Sequence, residues 1–381
     1  MAVAPEQVLD ALRVVQDPDL HRDIVSLGFI KNLEIDGPKV SFDVVLTTPA
    51  CPVKDSLREE AQSAVMALPG VEDVAVNMTF DVASTRKSRS EKLLPGVRNV
   101  VAVASGKGGV GKSTVATNLA IALAQTGAKV GLVDADIYGP NVPLMMGIRD
   151  KPEMFGNQEN QIMPILRYGI KLISIGFFIG DDDTPVIWRG PMVHGTINQF
   201  LKDVDWGELD YLLVDLPPGT GDAPLSLSQL VPIAGVVIVT TPQDVALQDV
   251  VKGVAMFEKL SVPIAGVIEN MSYFVCPHCE QSTEIFGSGG GQRVSEKYGI
   301  PILGRVPLDV RIRKGGDEGR PVVVSAPGSP LAQAFSSAAE QLASRISVLA
   351  MDHEEEEKQA NTQPIQFFAQ PPSQRDRPDP S

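Results

Sequence analysis

The sequence predicts an α/β protein: a mostly parallel sheet with helices on both faces, preceded by a small α+β domain. From Val97 onward, short runs rich in valine and isoleucine alternate with helical patterns; the runs are NVVAVAS, KVGLVDAD, YLLVDLPP, AGVVIVTTP, IAGVIENM and IPILGRVP. Near-continuous apolar strands that alternate with helices are typical of a parallel sheet that is buried on both faces. Because ligands of such sheets bind at the carboxyl ends of the strands, functional residues are expected where each run ends.

Residues 1–85 have a pattern of their own: helix, alternating strand, helix and closing strand. The four segments are PEQVLDALRVVQ, KVSFDVVLTT, VKDSLREEAQSAVMAL and VEDVAVNMTF. This order predicts a small α+β domain. Residues 86–96 belong to the polar, basic stretch STRKSRSEKLLPG. Its composition is typical of an exposed linker, so a domain boundary is predicted there.

Composition argues against several classes of function. The 381 residues are 43% hydrophobic and 5% aromatic, as expected of a soluble α/β protein with an aliphatic core. A formal net charge of −14 argues against generic nucleic-acid binding. The chain shows neither a secretory signal pattern nor an uncharged run of about 18 apolar residues. With only three cysteines, it is predicted to be cytoplasmic, with no membrane partner and no nucleic-acid partner.

The C-terminal part consists of an amphipathic helix, SPLAQAFSSAAEQLASRISVLAM, and an acidic segment over residues 351–381. Low hydrophobicity and a run of glutamates predict that this segment is a disordered, solvated tail. A partner-docking segment is the other interpretation of the same composition.

The strongest motif is VVAVASGKGGVGKST, in which Gly106 to Ser113 fit G-x-x-x-x-G-K-[ST] between an apolar strand and a helix rich in alanine and leucine. In such a loop, backbone N–H groups surround phosphate oxygens and the helix N-terminus adds a favourable dipole. Lys112 is expected to reach the β- and γ-phosphates of ATP, and Ser113 to bind Mg²⁺. The predicted nucleotide-binding residues of the loop are Gly106, Gly108, Gly109, Val110, Gly111, Lys112, Ser113 and Thr114.

Acidic residues end two other predicted strands. Asp134 and Asp136 lie in GLVDADIYGPN, and Asp215 lies in YLLVDLPPGTGD. A carboxylate at a strand end is also common as a helix cap or loop acid, but beside a phosphate-binding loop these residues indicate a Mg²⁺–nucleotide site. Asn270 lies at the strand end in GVIENM, a position where asparagine is as often a turn residue.

Two of the three cysteines form the C-x-x-C pair Cys276 and Cys279, in NMSYFVCPHCEQSTEIFG. Two thiolates suit zinc, an iron–sulfur cluster or a redox disulfide, yet they do not complete a four-ligand site. In a symmetric dimer, two such pairs would supply four thiolates, a set that fits a bridging [4Fe–4S] cluster or tetrahedral zinc. His278, between the cysteines, is interpreted as a solvent-facing loop residue.

The loop GKGGVGKS, with its additional lysine Lys107, resembles the deviant Walker A loop of the MinD/ParA/nitrogenase-iron-protein class of P-loop NTPases. The resemblance implies a homodimer in which Lys107 contacts nucleotide bound by the opposite subunit. It further implies that Asp136 orients the attacking water, that Asp134 supports the Mg²⁺ shell, and that Asn270 contacts adenine. Lys107, Lys112 and Asp136 are therefore the expected catalytic residues.

Over residues 97–350 the chain resembles the Mrp/ApbC family of iron–sulfur carrier ATPases. The matching segments are SGKGGVGKST, DADIYGPN, WRGPM, DLPPGTGD, ENMSYFVCPHC and FGSGGG. The N-terminal unit, with DPDL, DIVSLGFI and TTPACP, is similar to a SufT-like assembly domain. Cys51 in TTPACP is either a second cluster-handling thiol, as that domain suggests, or a small buried hydrophobe.

The resemblance implies a weak ATP hydrolase that binds a [4Fe–4S] cluster at a dimer interface and transfers it to apo-proteins. Apo iron–sulfur proteins and assembly-scaffold proteins are then the expected partners. The alternative is a MinD/ParA-like scaffold or positioning ATPase with a structural zinc at the C-x-x-C pair. The acidic run DHEEEE after the last helix argues against membrane positioning, because anionic lipid would repel it.

Overall fold

We analysed the chain in a computed structural model, which describes residues 3–84, 93–148, 161–178 and 190–362. The N-terminal part contains a three-stranded sheet in the order β3-β4-β5, with β3 antiparallel and β5 parallel to β4. Its elements are α1 (Pro5–Leu12), β1 (Gln16–Asp17), β2 (Arg22–Asp23), β3 (Ile30–Asp36), β4 (Lys39–Leu46), α2 (Lys54–Met66) and β5 (Asp73–Phe80). Alternate residues of β4 are buried, because one face of this sheet packs on the helices.

The larger part is an eight-stranded sheet in the order β15-β12-β11-β6-β10-β7-β9-β8. Neighbouring strands are parallel except β8, which is antiparallel to β9. The strands are β6 (Val97–Ala104), β7 (Val130–Asp134), β8 (Ile165–Arg167), β9 (Ile170–Ser174), β10 (Leu209–Asp215), β11 (Gly235–Thr240), β12 (Ile264–Glu269) and β15 (Ile302–Arg305). Between β12 and β15, a short hairpin is formed by β13 (Phe274–Val275) and β14 (Ser282–Thr283).

Helices cover this sheet, so that β10 is buried at all seven positions. Helices α3 and α11 pack together, α5 packs on α6, and α7 packs on α8. The helices are α3 (Lys112–Gln125), α4 (Val142–Met145), α5 (Gly190–Lys202), α6 (Asp222–Leu230), α7 (Asp244–Lys259), α8 (Gly290–Tyr298), α9 (Val310–Asp317), α10 (Val322–Ser325) and α11 (Pro330–Thr362). The predicted α/β architecture is confirmed, including the six strands that the apolar runs indicate.

The sequence pattern does not predict strands β8 and β9. Strand β9 reads IKLIS, and its one charged residue, Lys171, interrupts the apolar run. The half-buried lysine donates from Nζ to the carbonyl of Trp206 at 2.6 Å, so its ammonium group has a hydrogen-bond partner within the fold. Pairing with β7 on one side and β8 on the other, rather than an unbroken apolar run, makes this segment a strand.

The C-terminal helix extends further than the sequence predicts. Helix α11 continues to Thr362, whereas residues from 351 onward are expected to form a disordered tail. Glutamate, lysine and alanine are good helix formers, so the acidic run extends a helix that already has a buried, packed first half. Residues 363–381, the remainder of the predicted tail, lie outside the described residues. No helix in the described ranges is both long enough and apolar enough to cross a bilayer.

The N-terminal part contacts the large sheet near the amino-terminal ends of its strands. Thr48 Oγ1 lies 3.4 Å from the hydroxyl of Tyr211, near the start of β10, and Ser347 Oγ on α11 donates to the Thr47 carbonyl at 3.4 Å. Asn99 Nδ2 on β6 donates to the Ala83 carbonyl at 2.8 Å. The predicted linker lies largely in residues 85–92, outside the described part, so the division at residues 85 and 97 stays a prediction.

Candidate functional site

The loop between β6 and α3 has the backbone of a phosphate-binding loop. Gly109 and Gly111 have φ angles of 82° and 83°, in the left-handed region that glycine adopts without steric cost. Gly106 is required for a different reason: a Cβ there would lie 2.5 Å from the backbone carbon of Asp249 on α7. Glycines thus let the chain reverse tightly and pack closely before α3 begins at Lys112.

An open cleft of about 210 Å³ lies over this loop. Its lining residues are Ser105, Lys107, Gly108, Gly109, Gly111, Lys112, Ser113, Thr114, Asp136, Asn141, Met145 and Pro218. The structure therefore brings most of the predicted loop residues and Asp136 to one cleft, whereas Gly106 and Val110 do not line it. Ser105, Asn141, Met145 and Pro218 also line the cleft and are not among the predicted site residues. Asn141 and Pro218 lie in the segments DADIYGPN and DLPPGTGD, whose positions at strand ends could have indicated them.

Lys112 is a buried cation at the cleft and lies between two carboxylates. Its Nζ is 2.7 Å from Asp215 Oδ1 and 3.2 Å from Asp136 Oδ2, and 6% of its side chain is exposed. Burial alone would lower the pKa of Lys112, but the charges of Asp215 and Asp136 outweigh it and raise the pKa. The lysine therefore stays protonated and holds the ends of β7 and β10 together.

Asp134 and Asp215 are cross-strand neighbours at the carboxyl ends of β7 and β10. Burial, followed by repulsion from Asp215, raises the pKa of Asp134 to about 8, although Ser174 donates to its Oδ2 at 2.8 Å. The Oδ2 atom of Asp215 is buried and has no hydrogen-bond partner among the described residues. Two crowded carboxylates with an unpartnered oxygen form a site that favours a cation.

Asn270 lies behind the loop rather than in the lining of the cleft. It is 5% exposed, and its Nδ2 donates to the carbonyl of Val110 at 2.8 Å. Gly111 must be glycine here as well, since a Cβ would lie 2.2 Å from that Nδ2. The structure thus places Asn270 against the phosphate-binding loop, and adenine contact stays a prediction.

The C-x-x-C pair is carried by the β13–β14 hairpin. The N–H of Cys276 donates to the Gln281 carbonyl at 3.0 Å, and the N–H of Glu280 donates to the Cys276 carbonyl at 2.9 Å. Backbone N–H groups of His278 and Cys279, and then the Cys279 side chain, lower the pKa of the Cys276 thiol. Cys276 is half-buried and Cys279 is exposed. This is a turn that stabilises thiolate at the surface, as metal binding requires.

No group of three or more metal-ligating side chains occurs within the described ranges. Cys51 is not near the hairpin. It follows Thr48, which contacts the start of β10, whereas the cleft and the hairpin lie at the carboxyl ends of the strands. Burial raises the pKa of Cys51, followed by the charges of Asp17 and Asp19. Trp188 and Arg189 of the WRGPM segment lie outside the described residues.

Comparison with known families agrees with these features. Residues 96–343 match the model described as NUBPL iron-transfer P-loop NTPase, and residues 5–78 match the model described as iron-sulfur cluster assembly protein. The chain belongs to the NUBPL iron-transfer P-loop NTPase family. This confirms the resemblance to the iron–sulfur carrier ATPases that the motifs indicate.

Relatives of this family match along most of their length. The iron-sulfur cluster carrier protein of Synechocystis is 50% identical over 349 residues, which is 91% of this chain and 99% of the relative. That of Deinococcus radiodurans is 49% identical, over 90% of this chain and 96% of the relative. The iron-sulfur cluster transfer protein NUBPL of Dictyostelium discoideum is 48% identical, over 70% and 83%.

A solved structure also matches the P-loop part of this NUBPL-family chain. It is the nucleotide-binding protein of Archaeoglobus fulgidus in complex with ADP, 41% identical, with a TM-score of 0.54. The match covers 60% of this chain and 90% of that one. The P-loop NTPase fold is therefore shown by sequence, structure and comparison together.

Proposed function

We propose that this chain is an ATP-binding and weakly ATP-hydrolysing carrier that takes a [4Fe–4S] cluster as cargo between two identical subunits and delivers it to apo-proteins. Family membership and the names of its relatives support cluster carriage. The division into an assembly domain, residues 1–85, and an ATPase domain, residues 97–350, is part of the proposal. Assembly-scaffold proteins would supply the cluster and apo iron–sulfur proteins would receive it.

One observation carries the proposal: the hairpin presents Cys276 and Cys279 at the surface, and the described residues provide no further ligand nearby. Iron–sulfur clusters of the [4Fe–4S] type take four thiolates. A second copy related by a two-fold axis supplies the missing pair with no additional residue. Surface exposure of the thiols suits a cargo that must leave.

The cleft supports the nucleotide half of the proposal. The residues fit Mg²⁺, a hard cation that prefers oxygen ligands: Ser113 would hold it, with Asp134 and Asp215 behind. The buried, unpartnered Oδ2 of Asp215 is the observation in favour. When bound, Mg²⁺ would neutralise phosphate charge during hydrolysis.

The chain's own groups have separate tasks in ATP hydrolysis. Lys112 exchanges its contacts with Asp136 and Asp215 for the β- and γ-phosphates. The released carboxylate of Asp136 is then free to orient a water molecule toward the γ-phosphate. Lys107, in the half-exposed part of the loop, reaches across the two-fold axis to the nucleotide of the partner subunit. ATP thereby draws the two hairpins together, and hydrolysis relaxes them.

Anaerobic reconstitution with iron and sulfide tests the cargo. The intact protein is expected to give a broad absorption band near about 400 nm and one cluster per two chains, because each cluster takes four thiolates and each chain supplies two. Cys276→Ala should lose at least about 90% of bound iron, because the substitution removes one thiolate from each subunit and two of the four ligands cannot hold the cluster. Cys51→Ala is the matched control and should keep the full iron content. Undiminished iron and sulfide in Cys276→Ala would contradict the assignment.

The alternative, a scaffold ATPase with structural zinc, uses the same four thiolates. Metal analysis of protein purified without oxygen separates the two functions. A colourless protein with one zinc ion per two chains, and no iron after reconstitution, would favour the scaffold.

A further inference from the structure

The nucleotide site and the thiol hairpin are joined by a short, braced segment of chain. Asn270 contacts the phosphate-binding loop, and Cys276 follows six positions later. The segment between them is held by main-chain hydrogen bonds: Asn270 N–H to the Thr240 carbonyl, Ser272 N–H to the Val306 carbonyl, and Leu308 N–H to the Tyr273 carbonyl. The connection therefore lacks the freedom of an ordinary loop.

Glu269 braces the same segment from the inside. It is 1% exposed, and its carboxylate accepts from Ser272 Oγ and from the N–H of Gly291, each at 2.5 Å. Gly291 belongs to the first turn of α8, so one buried carboxylate joins the end of β12, the base of the hairpin and a helix N-terminus. Such a network moves as a unit, because breaking any of its contacts leaves a buried polar group unpaired.

At the other end of the segment, the Asn270 amide is the contact with the loop. Its Nδ2 donates to Val110 O at 2.8 Å, between Gly109 and Gly111, which both have left-handed backbones. Any movement of Val110 when phosphates enter the cleft changes this hydrogen bond. A direct contact between the Asn270 amide and the nucleotide would change this hydrogen bond as well.

We propose that Asn270 is the positioning residue through which the nucleotide state of the phosphate-binding loop sets the position of Cys276 and Cys279. The inference rests on the proposed function and extends it, naming the residue that couples the two sites. A coupling of this kind requires that the hairpin has different energies with the loop filled and empty. It is also reciprocal: the cluster must change nucleotide affinity by the same factor.

Thiol labelling of the cluster-free protein tests the coupling without a cluster. Reduced protein is treated with iodoacetamide, with and without a non-hydrolysable ATP analogue and Mg²⁺, and labelling at each cysteine is followed by peptide mapping. Protein concentrations are kept low enough for sedimentation to show monomers, so that pairing of chains does not shield the thiols. Cys51 lies in the N-terminal part, near the opposite ends of the strands, and its labelling rate reports any general loosening of the fold.

The nucleotide is expected to change the labelling rate of Cys276 at least about fivefold in the native chain, the lower range of measured couplings. In Asn270→Ala, at saturating nucleotide, the nucleotide-induced change in the Cys276 labelling rate should fall below about 1.5-fold. The coupling requires a contact whose energy differs between the filled and the empty loop, and this variant lacks it. Glu269→Gln, which keeps the side-chain shape, is the second variant and should weaken the effect in the same direction. Cys51 should be unaffected in all of them.

Asn118→Ala is the matched control. Asn118 is also a buried asparagine beside the nucleotide site, and it bonds the Thr114 carbonyl at 2.9 Å and the Val323 N–H at 3.3 Å, away from the hairpin. It should retain the full nucleotide effect on Cys276. A nucleotide effect that survives in Asn270→Ala, or is absent from the native chain with nucleotide bound, would overturn the coupling. Failure of cluster reconstitution with the labelling effect intact would instead remove the proposed function and leave the coupling standing.

Discussion

At the scale of single residues, the site depends on charges that are buried together. Lys112 forms ion pairs with both Asp136 and Asp215, and 6% of its side chain is exposed. Removing one member of a buried ion pair leaves the others without compensation, which is costlier than losing a surface pair. The lysine that is predicted to bind phosphate is thus also part of the folded structure of the nucleotide-free chain.

Lys112→Met is therefore expected to abolish ATP hydrolysis and to lower the free energy of unfolding by about 3 kcal/mol at pH 8. At pH 5 the loss should be smaller, because burial raises the pKa of Asp215 and protonation removes the uncompensated charge. Urea unfolding at both pH values measures the difference. Lys107→Met, a change in a half-exposed loop residue, should abolish hydrolysis and alter stability by less than about 0.5 kcal/mol. Equal destabilisation by Lys112→Met at both pH values would contradict this account.

Asp134 gives a second pH-dependent prediction. Its pKa is raised from 3.8 to about 8 in the folded protein, so the folded state binds more protons than the unfolded state between these values. The free energy of unfolding then falls as the pH rises from about 4 to about 8. Asp134→Asn removes this titration and should flatten the profile, with a melting temperature above that of the native chain at pH 8 but not at pH 5. Parallel profiles for the two proteins would show that Asp134 does not titrate in this range.

At the scale of elements, glycines show how differently the same residue is used. Gly253 lies within α7, where an added Cβ meets nothing within 4 Å, whereas a Cβ on Gly304 in β15 would lie 2.9 Å from Ala338 Cβ on α11. Gly253→Ala should raise the free energy of unfolding by about 0.5–1 kcal/mol, because alanine loses less backbone entropy in a helix. Gly304→Ala should lower it by about 1–3 kcal/mol, because α11 must shift away from β15. Thermal unfolding of both variants checks the opposite signs, and stabilisation by Gly304→Ala would show that α11 adapts freely.

The same scale shows what the sequence can predict. The phosphate-binding loop follows from fixed spacing, because Gly106, Lys112 and Ser113 are close in the chain and their roles are local. The contact of Asn270 with Val110 joins residues far apart in sequence, and only the strand order of the sheet brings them together. The sequence pattern does not predict strand β9 either, because Lys171 interrupts the apolar run that neighbouring strands show. Local chemistry is predictable here, and long-range contacts are not.

At the scale of the whole molecule, the two ends of the sheet carry different chemistry. Nucleotide residues and the thiol hairpin lie at the carboxyl ends of the strands, while Cys51 lies on the side where Thr48 meets Tyr211. Arg22 of the N-terminal part also pairs with Glu355 of α11 at 2.8 Å. Both side chains are about half exposed, so this pair adds less than about 1 kcal/mol. Because the N-terminal part contacts the opposite ends of the strands, it does not cover the hairpin through which we propose that a second copy binds.

The proposed shared site predicts how mixed dimers behave. Native chains are mixed in equal amounts with tagged chains carrying Cys276→Ala and Cys279→Ala, unfolded, refolded together and reconstituted anaerobically. If each cluster needs thiolates from both subunits, only native–native pairs bind it, and cluster content falls to about one quarter of that of the native protein. If each chain binds its own cluster, the content is about one half, because pairing is then irrelevant. Iron and sulfide per chain, measured across several mixing ratios, distinguish a quadratic from a linear dependence on the native fraction. A linear dependence would refute the two-subunit site even if every other property of the carrier were observed.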